Sequence, residues 1–296
     1  VRAWFHERTR ARGYSTVVRD EVWKTIEAFG AYGFCRAHAV AFAVPALQSA
    51  WLKAHYPAFL LAGLLEHDPG MWPKRVLVSD ARRGGVQVLP VDVNRSRVKH
   101  TVEKTDGEQW GEQWGEQWGV RLALSGVHGI SEEECARIEE GQPYGSLSDF
   151  WQRARPSRPV AERLAEIGAL DRLHDSRLTR RDLLLQIAEL HRQSRTRSAH
   201  EGQLPIDAGA VGGAEPSGLP EMTGREALSA ELSTLGIDVS RHLMEHHHRL
   251  LREIGATDAA HLAGMRPGRQ GLRAGVRAST QTPPISSGRR PHLVPP

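Results

Sequence analysis

Lysine is scarce in this sequence. It occurs only at Lys24, Lys53, Lys74, Lys99 and Lys104, so nearly all of the 39 Lys and Arg residues are arginine. Arginine presents a planar fork suited to phosphate oxygens, although a codon bias toward arginine produces the same count. Cysteine is scarcer still. Cys35 and Cys135 lie too far apart for a CxxC pair and form no disulfide framework, which fits a reducing, cytoplasmic setting. Aromatics make up only 6%, and 8 of them are Trp. The longest unbroken apolar run, Ala39–Leu47, is far short of the roughly 20 residues a membrane-spanning helix needs, so no membrane partner is expected. The first residues, Val1-Arg2-Ala3-Trp4, have no signal-peptide layout. They lack an initiator Met and begin inside an apparent helix, as a fragment of a longer chain would.

Chemistry-bearing motifs are missing as well. The sequence has no Asp-x-Asp, P-loop, GxSxG or HExxH, and two-metal nucleotidyl transfer needs clustered carboxylates. No catalytic residue and no metal ligand is therefore assigned to this chain. His242 and His246, four apart in "HLMEHHHRLL", have no carboxylate or cysteine at ligand spacing and read as part of a solvated helix. His38 and His55 have no carboxylate partner nearby in sequence.

At 296 residues with 40% apolar content the chain can build a core and hold two or three domains. Its net charge of +4 permits an anionic partner without demanding one. Residues 14–29 carry Val18, Val22, Ile26 and Phe29 at helical spacing, and Gly30 and Gly33 are expected to break that helix. A second helix begins near Ala37, with Pro45 expected to kink or split it and Pro57 to end it. Residues 58–66 add a turn or two, Asp68-Pro69-Gly70 a tight turn, and residues 72–82 a further helix. "GGVQVLPVDVN" (84–94) reads as a strand, with residues 98–102 and 120–124 as its partners. Between them "GEQWGEQWGEQW" (107–118) repeats every four residues. A glycine at that period argues against helix, so the segment reads as an exposed loop, with base stacking on its Trp residues as the functional alternative. Residues 125–192 are helical, 194–220 a linker by composition, and 221–265 two or three short amphipathic helices.

"LSGVHGISEEECARIEEG" (124–141) carries the clearest binding signal. Gly126 and Gly129 permit a tight turn around Val127, and Ser131 with Glu134 forms a capping box for the following helix. Such a turn aims backbone N–H groups at a phosphate oxygen. This is the helix-hairpin-helix pattern, which grips DNA without reading bases. A second hairpin follows at "RPVAERLAEIGALDRL" (158–173), centred on Gly168, with Arg163 adding charge; Glu132, Glu133 and Glu134 oppose an anion at the first.

"YGFCRAHAVAFAVPALQSAWLKAHYPAFLLAGLL" (32–65) resembles the signature of bacterial C-family DNA polymerases, the DNA polymerase III alpha subunit and its error-prone relative. "HDPGMWPKR" (67–75), "LPVDVNRS" (89–96), and Cys35 and Ala37 in place of the family's Asn and Ser, look like the error-prone branch. The resemblance extends through "LGIDVSRH" (235–242) to "GVRASTQTPPISSGRR" (275–290).

It implies a mainly α chain: the C-terminal part of the polymerase fingers at 1–95, a tandem helix-hairpin-helix region at 96–193, the linker at 194–220, a helical segment at 221–265, and at 266–296 a truncated, disordered start of an oligonucleotide-binding barrel whose first strand would be residues 272–280. Arg36, His38 and Lys53 would meet the incoming deoxynucleoside triphosphate. Gly126, Val127, Gly129, Arg163 and Gly168 would contact the DNA primer–template. Gln203, Leu204 and Ile206 stand where a sliding-clamp motif could sit, and damage-response accessory proteins are further possible partners. Mg2+ is implied for the full-length polymerase, whose metal-binding palm would precede Val1, so this chain alone is expected to be inactive. A stand-alone DNA-binding module and a truncated, non-functional remnant are the alternatives.

Overall fold

Apolar spacing and prolines set the helices of the first 67 residues. These are α1 (Arg2–Arg10), α2 (Thr16–Tyr32), α3 (Arg36–His55) and α4 (Pro57–His67). A computed structural model of the chain describes residues 1–32, 36–70, 72–105, 117–198, 216–265 and 270–276. Gly30 does not break α2, which runs on to Tyr32; a single glycine costs a helix only about 1 kcal/mol. Gly33 lies outside the described residues. Pro45 removes one donor inside α3 but does not split it, and Ser49 Oγ donates to the Pro45 carbonyl one turn back at 2.8 Å. Pro57 begins α4 at the first helical position, where a missing N–H costs nothing.

The chain divides into two compact units at Tyr56 and Pro57. In the first, Phe5 packs on Trp23 with ring centres 5.3 Å apart. None of its residues outside 31–36 is buried, and Val18, Val22, Ile26 and Phe29 of α2 are exposed. Their helical spacing correctly marks one face, but within this unit that face has no core to enter.

The second unit holds the core. Asp68-Pro69-Gly70 turns the chain, with the Gly70 amide donating to Asp68 Oδ1 at 3.2 Å, and leads to α5 (Lys74–Arg83). The strand expected over 84–94 shrinks to β1 (Gln87–Leu89), ending at Pro90, which has no N–H for a ladder. β2 (Thr101–Thr105) and β3 (Gln117–Arg121) complete a sheet of order β1-β3-β2, with β1 parallel and β2 antiparallel to β3. A boundary at residue 95 would therefore cut the sheet. Only the end of the GEQW repeat is described, and it is strand: Trp118 is half-buried, its ring 5.5 Å from Phe59. Arg121, 5% exposed, forms a two-pronged pair with Glu103, both contacts at 3.0 Å, and donates to the Pro90 carbonyl. Hydrogen bonding from Arg121 holds the Glu103 carboxyl below its ordinary pKa despite partial burial.

Helices α6 (Glu132–Glu140), α7 (Leu147–Ala154), α8 (Arg158–Glu166) and α9 (Arg180–Ser198) follow, so helix reaches past the linker start expected at 194. Phe150, Leu164, Leu170, Leu183 and Ile187 are fully buried between them. α10 (Gly224–Leu235) has its own Thr223–Glu226 capping box. Asp182 accepts from the Ser217 hydroxyl and amide and from the Thr179 amide at 2.8 Å, bonds that depress its pKa to about 2. A short 3-10 turn (Leu243–His247) leads into α11 (His248–Glu253). His242 caps that turn rather than sharing a helix face with His246. Residues 270–276 form no strand, so the expected barrel start is not seen in them, and residues 277–296 lie outside the described set. Among the described residues no helix is long and apolar enough to cross a membrane.

The loop at residues 90–96 joins these layers. Ser96, fully buried, donates to the Leu122 carbonyl at 2.8 Å and accepts from the Asp92 amide at 3.0 Å. Asn94 makes paired bonds with the backbone of Tyr144, at 2.8 and 2.7 Å. Val93 donates to the Ala169 carbonyl at 3.1 Å. Asn94→Ala removes two bonds and strands the Tyr144 amide. It is expected to lower stability by about 1–3 kcal/mol, read as a shift of the urea midpoint by circular dichroism, and an unshifted midpoint would contradict this role for Asn94.

Candidate nucleic-acid interface

The first hairpin runs from a 3-10 turn (Leu124–Gly126) to α6. Leu124 and Val127 point inward, 0% and 2% exposed, while Ser125, His128 and Gly129 stand outside. The Gly126 and Val127 amides close on the Ala123 and Leu124 carbonyls, Ile130 on Val127, and His128 on Thr234 of α10 at 2.9 Å. Among the described residues the hairpin amide without an acceptor is that of Gly129. Gly129 sits at φ +78°, which favours glycine, and an added Cβ would collide with the Arg163 guanidinium. Arg163, from α8, donates through one nitrogen to the His128 carbonyl at 2.7 Å. Its other N–H groups have no acceptor among the described residues. A groove of about 450 Å³ is lined by residues 125–130 together with residues 232–236 at the C-terminal end of α10.

Glu134 belongs to the frame rather than to the surface. It completes the capping box with Ser131, both bonds at 3.1 Å, and accepts from the Ser157 amide at the start of α8 at 2.8 Å. Burial pushes its carboxyl up, but the amide bonds from Ser157 and Ser131 win and lower the pKa. Glu132 and Glu133 remain exposed beside the hairpin and oppose an anion there.

The second hairpin is built differently. α8 ends in a Schellman motif, with Gly168 donating to the Ala165 carbonyl and Ala169 to Leu164 at 3.0 and 2.8 Å. Gly168 also has φ +78°, and again a guanidinium covers it, that of Arg180. Arg180 contacts both Asp171 oxygens, at 3.1 and 2.7 Å, and donates to the Glu166 carbonyl at 3.1 Å.

The expected nucleotide-contact residues are not brought together. Arg36 opens α3 and Lys53 lies in its last turn, about 25 Å away at 1.5 Å per residue. His38 is exposed and packs edge-on to Phe42, with ring centres 4.6 Å apart. Lys53 and His55 at the C-terminal end of α3 suit the helix dipole. Gln203, Leu204 and Ile206 lie outside the described residues, as does Cys35. Cys135 is buried, which raises its thiol pKa to about 11 and leaves it unreactive. Asn94, Asp171 and Arg180 escaped the sequence reading. The Thr179-x-x-Asp182 capping pattern marks the start of α9, and so the place of Arg180, but the pairing of Arg180 with Asp171 spans a turn and has no local signature.

The helix-hairpin-helix motif profile matches residues 85–180, the sheet and both hairpins together. The chain is 33% identical to the error-prone DNA polymerase of Symbiobacterium thermophilum over 96% of this chain and 29% of that protein. The corresponding values for the error-prone DNA polymerase of Burkholderia pseudomallei are 33%, 96% and 26%, and for that of Corynebacterium efficiens 34%, 91% and 23%.

The chain is related to the error-prone DNA polymerases.

It spans less than a third of the length of these relatives. The match with the helix-hairpin-helix motif agrees with the hairpin geometry at Gly129 and Gly168.

The bonds to Glu134 give a pH signature. A carboxyl whose pKa is lowered by folding stabilises above its ordinary value of 4.5 and loses that contribution as pH falls through the folded value. Glu134→Gln is therefore expected to lower the thermal midpoint at pH 7, with the gap to wild type closing as the pH falls below 4.5. A gap independent of pH would show that the charge on Glu134 does not hold the hairpin.

Proposed function

We propose that this chain is the part of an error-prone, DNA-directed DNA polymerase that holds the primer–template by its backbone and meets the incoming nucleotide during replication across damage. The observation that carries the reading is the first hairpin: an exposed Gly129, its amide without an acceptor among the described residues, beside an Arg163 fork, inside a region matched by the helix-hairpin-helix motif. Amide and guanidinium groups of this kind favour phosphate oxygens. Such contacts fix position without reading sequence. Gly126, Val127 and Gly168 shape the two hairpins.

The nucleotide reading rests on the relationship and on the cations of α3. Arg36 and His38 would meet the triphosphate from the start of that helix, and Lys53 would act at its far end. Gln203, Leu204 and Ile206 would supply a sliding-clamp contact. Template-directed nucleotidyl transfer in the whole polymerase uses Mg2+. The described residues contain no group of three or more His, Cys, Asp or Glu side chains able to hold a metal ion, so no step through Mg2+ is assigned to them.

Fluorescence anisotropy with a labelled primer–template tests the reading. Binding is expected in dilute buffer, equal for unrelated sequences, with log K falling linearly in log salt at a slope near −0.9 for each phosphate neutralised. No binding at about 50 mM salt, or strong preference for one sequence, would overturn it.

A further inference from the structure

The two hairpins share a design. In each, a glycine at φ +78° lies under a guanidinium supplied by a later helix, Arg163 of α8 over Gly129 and Arg180 of α9 over Gly168. The arginines differ in what they have left. Arg163 uses one nitrogen on the His128 carbonyl. Arg180 places all three of its nitrogens on the Asp171 carboxylate and the Glu166 carbonyl. The surroundings differ in the same sense. The first hairpin leaves His128 and Gly129 exposed, whereas Ile167, Ala169 and Leu170 of the second are 5%, 2% and 0% exposed, and the Ala169 carbonyl is taken by Val93.

We infer that the hairpins divide the work: the first, through the Gly129 amide and Arg163, contacts a DNA phosphate, and the second, closed by the Arg180–Asp171 pair, is structural and contacts none. This rests on the DNA-binding reading above and sharpens it from two phosphate contacts to one. A guanidinium already held by a carboxylate has its charge neutralised and its fork filled, so a phosphate at the second hairpin would have to displace Asp171 and face its negative charge. At the first hairpin nothing in the described structure has to be displaced. Exposed Glu132 and Glu133 lower the affinity of that site without filling it.

The experiment compares salt slopes of primer–template binding in Arg163→Gln and Arg180→Gln, using the full chain, with folding checked by circular dichroism. Arg163→Gln is expected to reduce the slope by about one and to weaken binding several-fold at low salt. Arg180→Gln, once folded, is expected to keep the wild-type slope. Should Arg180→Gln fail to fold, Asp171→Asn replaces it; it keeps the Arg180 bond to Glu166 and is expected not to reduce the slope. A slope reduced by Arg180→Gln or Asp171→Asn as much as by Arg163→Gln would overturn the division of labour while leaving DNA binding intact, as would an unchanged slope in Arg163→Gln. A wild-type chain that does not bind DNA at all would instead remove the reading on which this inference stands.

Discussion

A short loop with buried polar groups, residues 90–96, is the constraint on which the second unit depends. Backbone leaving a strand at Pro90 cannot continue the ladder, and its N–H and C=O groups enter a dry interior where each unpaired group costs free energy. Ser96 and Asn94 settle that cost by bonding Leu122 and Tyr144, Gln142 closes on the Val93 and Ser96 carbonyls, and Val93 reaches Ala169. One loop thereby fixes the sheet, the α6–α7 connection and the second hairpin in a single arrangement. Glu134 adds a further tie, from the start of α6 to the start of α8. These bonds hold the first hairpin, which meets DNA in the proposed reading, against the rest of the unit.

Arginine plays two parts in this frame. Arg121 and Arg180 are structural cations, each locked to a carboxylate. Arg163 is attached by one nitrogen and keeps the rest of its fork. A count of arginines therefore overstates phosphate-binding capacity. What matters is how many guanidinium N–H groups remain after the internal carbonyls and carboxylates are served. The mild net charge of +4 is consistent with that reckoning.

Local signals were the legible ones. The Ser131–Glu134 box, the glycine turns at Gly129 and Gly168, and the helix ends at Pro57 depend on residues within a turn of each other, and the sequence spacing showed them. Alternation continues past Pro90 while the hydrogen-bonding capacity does not, so β1 is shorter than its pattern suggests. Gly30 reads as a break by propensity alone, whereas the helix on both sides carries it. In the candidate site, the sequence marks Gly129 as a turn and Arg163 as a nearby cation, and the structure sets the two side by side. The Arg180–Asp171 pair was illegible, since pairing across a turn leaves no periodic trace. The motif "LPVDVNRS" (89–96) was noted as a family likeness, and its physical role, satisfying buried backbone, appears only once Tyr144 and Ala169 are seen beside it.

Native-state hydrogen exchange of the full chain tests the central claim most directly. If the loop makes one unit of sheet and hairpins, the amides of Val93, Ser96, Tyr144 and Ser157 should exchange with the same opening free energy, equal to that of global unfolding of the second unit. A Val93 or Ser157 amide that opens well below the others would mean that the hairpins move independently of the sheet, and would contradict the account.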